Sequence, residues 1–176
     1  TQNIWDQGHP FSNNANAAVL KTVWQESPYD EVLTGLEDLD FAKKAIGRGR
    51  KIAYVADAPV VHVHEESWTV IRNRYRREAM AYARIVEGSK MSLPAAMGLA
   101  LSNVAGDYKD ALKAHRIRGN LAGIPLFRTA QFLGAWQGFR APDHLSNQLL
   151  ERFYYPGESH DAPPSPEPGR RIQYSD

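Results

Sequence analysis

Cysteine is absent from all 176 residues, which excludes a disulfide framework, a thiolate metal site and a cysteine nucleophile, and allows a reducing compartment. An excess of one charge is missing too. Lysines and arginines number 21 against 20 acids, so no global field marks a nucleic-acid binder and any electrostatic logic is local. The chain opens with neither a basic stretch nor an apolar core, so no signal peptide is expected. It also opens without a methionine, which suggests a piece of a longer polypeptide. The one run approaching the roughly 20 apolar residues of a membrane span, 121–139, is interrupted by Arg128 and Gln131. The expected location is therefore the cytoplasm, with peripheral contact at the inner face of the membrane as the remaining membrane role.

What is present reads as one main domain with appendages. An Asn-rich turn, FSNNANAA, leads into a short helix at 16–25, and Ser27-Pro28 breaks it because proline cannot continue a helix. Leu36, Leu39, Ala42, Ala45 and Ile46 have helical spacing, closed by Gly47 and Gly49. Residues 51–55 and 59–64 are rich in β-branched and aromatic types and predict two strands. From 65 to 86 the apolar positions Trp68, Ile71, Tyr75, Ala79, Tyr82 and Val86 predict a long amphipathic helix. Two further helices are expected over 93 to about 115 and 121 to about 139. In the second, Leu126, Phe127, Phe132, Leu133 and Trp136 suit either a buried face or a surface for a membrane or partner. From Gly157 the chain is polar and Pro-rich, as disordered tails are.

Three groups of residues carry chemistry. Glu37, Asp38 and Asp40 put three acids in the first turn of the helix that follows TGL. The free N–H groups and dipole of a helix start favour carboxylates for structural reasons alone. A carboxylate at such a loop-to-helix junction can also serve as a general base. Glu37 and Asp38 are adjacent, and on a regular helix adjacent side chains diverge, so one is expected to point away from what the other serves. His62 and His64 lie two apart on a predicted strand, so both imidazoles emerge on one face, able to ligate a metal with Glu65 or Glu66 beyond, or to form a half-exposed surface. Arg72 and Arg76 lie one turn apart on the long helix, with Arg74 and Arg77 as a second pair, suited to a diphosphate or to a solvated face.

Taken in order, FSNNANAAVLKTVWQE, LTGLEDLDFAKKAIGRGRKIAYVADAPVVHVHEES and the arginine-rich helix resemble the acceptor-side half of a family 2 glycosyltransferase of the GT-A fold, over about Asn13 to Arg77. The resemblance implies an α/β fold: a partial GT-A half with a short mixed sheet over 1–88, a helical extension over 89–156 and a disordered tail over 157–176. It implies an inverting, metal-dependent transferase of bacterial polysaccharide biosynthesis, moving a sugar from a nucleotide-sugar donor to a glycan or lipid-linked acceptor. Asp38, then Glu37, match the family's general base; His62 or His64 matches a residue that helps hold Mg or Mn and the donor diphosphate. Asn14 and Asn16, with Asp40, match the acceptor and sugar side, and Arg72 and Arg76 are assigned to the diphosphate. The family's nucleotide-binding half, with its Asp-x-Asp metal motif, has no counterpart here; Asp38-Leu39-Asp40 lies on a helix and is not read as that motif. A missing N-terminal domain or partner subunit is therefore expected to supply it and to share the metal, and the isolated chain is expected to be inactive. The rival expectation is a non-catalytic interaction and assembly module derived from a transferase fragment.

Overall fold

The computed structural model describes residues 2–61 and 66–141, which belong to one compact unit, Thr1–His144. Six helices carry it: α1 Lys21–Glu26, α2 Glu37–Gly47, α3 Trp68–Ile85, α4 Leu93–Lys113, α5 Ile117–Asn120 and α6 Gly123–Phe139, preceded by a 3-10 turn at Asn14–Asn16.

Local sequence explains several of their ends. α2 begins without a side-chain cap, after Leu36 in the left-handed region at φ 57°, and carries Glu37, Asp38 and Asp40 in its first turn, where the dipole favours acids. It closes through Arg48 and Gly49 N–H bonds to the Ala45 and Ile46 carbonyls at 3.1 and 2.9 Å, with Gly49 at φ 75° supplying the left-handed residue that ends many helices. The Ser67 and Ser92 hydroxyls cap α3 and α4 by accepting from Val70 and Ala95.

The expected α/β architecture is corrected by this arrangement. Among the described residues there is no strand and no sheet, only an isolated antiparallel bridge between Ile4 and Tyr54. Residues 51–55 do find backbone partners: Ile4 and Tyr54 exchange bonds of 2.9 and 2.7 Å, and the Gln7 N–H reaches the Ile52 carbonyl at 3.0 Å. Pairing stops there, and one bridge to an N-terminal segment does not make a mixed sheet. Residues 59–61 belong to no ladder, and the rest of the second expected strand lies outside the described residues. β-branched composition marks a segment that fits a sheet; the sheet itself needs neighbours.

Two contacts of α3, with α6 and with the approach to α2, hold the helices together, and α4 packs on α6 in turn. α6 crosses α3 at close range through a stripe of small residues, Ala130, Gly134 and Gly138, all buried and one turn apart. A Cβ on Gly134 would overlap the Arg72 carbonyl oxygen; one on Gly138 would overlap the Arg76 carbonyl and lie 2.7 Å from the Ala79 side chain. The glycines therefore set the interhelical distance. The other side of α3 closes over the approach to α2. Ala81 and Ile85 bury against Leu33, with Leu36, Leu39 and Val86 packed around them, and the Thr34 hydroxyl donates to the Arg77 carbonyl at 2.9 Å. α2 and the loop before it are thus anchored on a helix whose opposite face holds α6.

Candidate functional site

The acids of α2 meet the Asn-rich turn. In that turn the Asn13 side chain accepts from the Ala15 N–H at 2.9 Å, which fixes the backbone of Asn14. The Asn14 backbone N–H donates to Asp38 Oδ2 at 3.1 Å, and its side-chain amide donates to Glu37 Oε1 at 3.3 Å. Asp38 Oδ1 accepts from the Leu39 N–H at 2.8 Å. Glu37 and Asp38 therefore converge on one residue, where adjacent positions on a helix were expected to diverge. They occupy the first two positions of α2, directly after a left-handed Leu36, and there the entering chain comes within reach of both.

A fourth member, Tyr29, was not picked out from sequence. Its hydroxyl donates to Asn14 Oδ1 at 3.2 Å, and its ring stacks, tilted, against Phe41 of α2 at 5.1 Å between centroids. Burial, then the negative charge of Asp38, then that of Glu37, push the Tyr29 phenol above its ordinary pKa. Its only sequence signal is an aromatic directly after Pro28, near the start of the loop that delivers α2.

The remaining sequence-derived candidates are placed elsewhere. Asn16 donates to the Ala58 carbonyl at 2.6 Å, tying the turn to the segment after residue 55. Asp40 pairs with Lys44 one turn on, at 2.5 Å, and is not part of the Asn14 cluster. Arg72 and Arg76 lie half-buried on α3, beneath α6. The Arg72 Nε is buried without a hydrogen-bond partner, so this pair is not displayed on a solvated face. Arg74 instead binds Glu66 at 3.0 Å, with Glu78 at 3.6 Å. Burial pushes Glu78 above the ordinary carboxylate value, against the pull of Arg74 and Arg77.

His62, His64 and Glu65 lie outside the described residues. Among the described residues no group of three histidine or acidic side chains gathers in a way that would hold a metal ion.

Compared with known proteins, the chain matches no family model, no curated protein and no solved structure.

Chemically the cluster is a carboxylate held at two of its oxygens by backbone N–H groups, beside a second carboxylate held by an amide and a phenol that orients that amide. Each carboxylate oxygen can accept twice, so Asp38 keeps lone pairs for a further donor after its two bonds. Such an arrangement can orient a hydroxyl and accept its proton.

Proposed function

We propose that this chain supplies the catalytic base and acceptor side of an inverting glycosyltransferase of the family 2 kind. The observation that carries the reading is the convergence of Asp38 and Glu37 on Asn14, since these are the residues the sequence resemblance assigns to the base and the sugar side. The reading rests on those residues and their hydrogen bonds, and no GT-A sheet is part of it.

In this reading Asp38 accepts the proton of the acceptor hydroxyl. The oxygen attacks the anomeric carbon of the donor sugar from the face opposite the leaving group. The new carbon–oxygen bond forms as the bond to the diphosphate breaks, and the nucleoside diphosphate departs with the electron pair. A resident divalent metal, held in part by His62 or His64, would neutralise that leaving charge. Glu37, occupied by the Asn14 amide, positions the turn that holds Asp38.

The helical character of the described residues favours the second reading, a non-catalytic assembly module. The two are separated by incubating the polypeptide, at its native length in the source cells, with UDP-, GDP- and dTDP-sugars and a cell-envelope acceptor fraction. Acceptor-dependent release of a nucleoside diphosphate supports the transferase; hydrolysis and transfer at background with every donor supports the module.

A further inference from the structure

Among the described residues helix α4 is held from one side. Its main element neighbours there are α6 and the short α5, Ala96 is its one buried residue, and Asp107 faces α6 through the Arg128 guanidinium. Leu93, Met97, Leu101, Tyr108 and Leu112 follow one another at steps of four, four, seven and four residues, which places them in a single stripe along a helix of 3.6 residues per turn. The stripe is open: Met97 is 57%, Leu101 69% and Leu112 56% exposed. The Tyr108 hydroxyl donates to the Leu121 carbonyl at 2.6 Å, which brings exposed Leu121 alongside. Between Leu112 and Leu121 the turn before α5 carries exposed Arg116 and α5 itself exposed Arg118, and exposed Lys109 flanks the stripe. Lys113 pairs with Asp110 at 3.6 Å, whereas among the described residues Lys109, Arg116 and Arg118 have no carboxylate within ion-pair reach.

We propose that this stripe and its three cations seat α4 in the interface of an anionic lipid bilayer, with the apolar side chains in the acyl boundary and Lys109, Arg116 and Arg118 against headgroup phosphates. Charge selects this occupant. A second copy of the same face offers those cations no unpaired carboxylate, because Asp110 is already matched to Lys113; a layer of lipid phosphates offers many. The mode is surface attachment, since no described helix is long and apolar enough to cross a membrane. It also shifts the contact from the stretch the sequence offered: on α6, Phe127 is edge-on to Tyr75 at 6.3 Å and Trp136 lies under Arg140 at 5.2 Å, inside the protein's own packing. The proposal does not depend on the transferase reading.

The test is cosedimentation of the full chain with vesicles of phosphatidylglycerol and phosphatidylcholine, against vesicles of phosphatidylcholine alone. Binding to the anionic vesicles only, weakening as salt is raised, is expected. Leu101→Glu and the double variant Arg116→Gln/Arg118→Gln should each lower the partition coefficient by at least ~10-fold. All three side chains are exposed, so far-ultraviolet circular dichroism should stay unchanged. Absence of vesicle binding overturns the proposal, as does binding that Leu101→Glu leaves intact. A concentration-dependent dimer abolished by Leu101→Glu, without vesicle binding, overturns it in favour of a self-interface.

Discussion

Asn14 holds Asp38 from 24 residues upstream, its backbone N–H donating to the Asp38 carboxylate at 3.1 Å. The bond uses a main-chain group, so no substitution at Asn14 short of proline removes it. The side-chain amide, which ties Glu37, is the part that mutation can reach. The two acids are therefore separable by experiment. Asn14→Ala should release Glu37 while leaving the Asp38 contact in place, and Glu37→Gln should be milder than any change at Asp38.

Tyr29 reports on this cluster. Burial, Asp38 and Glu37 raise its pKa, so the folded state prefers the protonated phenol. That contribution to stability is complete below the unfolded value of about 10 and is lost as pH rises through the higher folded value. Wild-type protein should therefore lose stability in the alkaline range more steeply than Tyr29→Phe. In Asp38→Asn the phenol should titrate at lower pH than in wild type. Alkaline difference absorbance checks this, and an unmoved titration would uncouple Tyr29 from Asp38.

The crossing of α3 and α6 predicts opposite signs for two glycine substitutions. Alanine at a helical glycine gains about 1 kcal/mol of helix propensity, but at Gly134 the new Cβ meets the Arg72 carbonyl. Overpacking of this kind costs about 1–3 kcal/mol, and backbone on a packed helix cannot step aside. Gly134→Ala should lower stability in urea by about 1–2 kcal/mol. Gly98→Ala, where a Cβ meets nothing within 4 Å, should raise it. Equal effects at both sites would contradict the close crossing.

Asp107 joins α4 to α6. Arg128 reaches its two oxygens at 2.6 and 2.8 Å, and those hydrogen bonds hold the Asp107 carboxyl below its ordinary pKa despite some burial. With the folded value depressed, the stabilisation is present above the unfolded pKa of about 4 and disappears as pH falls through the folded value. Asp107→Asn should cost about 1 kcal/mol or less at neutral pH, given partial exposure and solvent screening. Thermal unfolding followed from pH ~7 downward should show the gap closing in acid; a gap that persists there would assign the cost to packing.

α2 and α3 were legible because periodicity and end signals agree, whereas the helix expected over 16–25 is confined to Lys21–Glu26 and the short α5 had no signal. Three acids mark the start of α2 and Gly47 to Gly49 its end, and the apolar spacing of α3 is helical throughout. The strand at 51–55 was misread because local composition cannot say whether a pairing partner exists beyond one bridge. Gly134 and Gly138 weaken a helix by propensity alone, so their role as contact surfaces emerges only with α3 in place. Within the site, the acids could be named from residue type, and Asn14 only from the family resemblance. Their convergence, and Tyr29's part in it, depend on a turn and a loop brought together over distances that periodicity does not encode.

In the proposed reaction Asp38 takes the proton of the acceptor hydroxyl. The most direct test of this role is the rate of sugar transfer by the native-length polypeptide carrying Asp38→Asn, with donor binding measured in parallel. Transfer should slow by at least ~100-fold while donor affinity stays nearly unchanged, the signature of a lost general base. A transfer rate within a few-fold of wild type would contradict it.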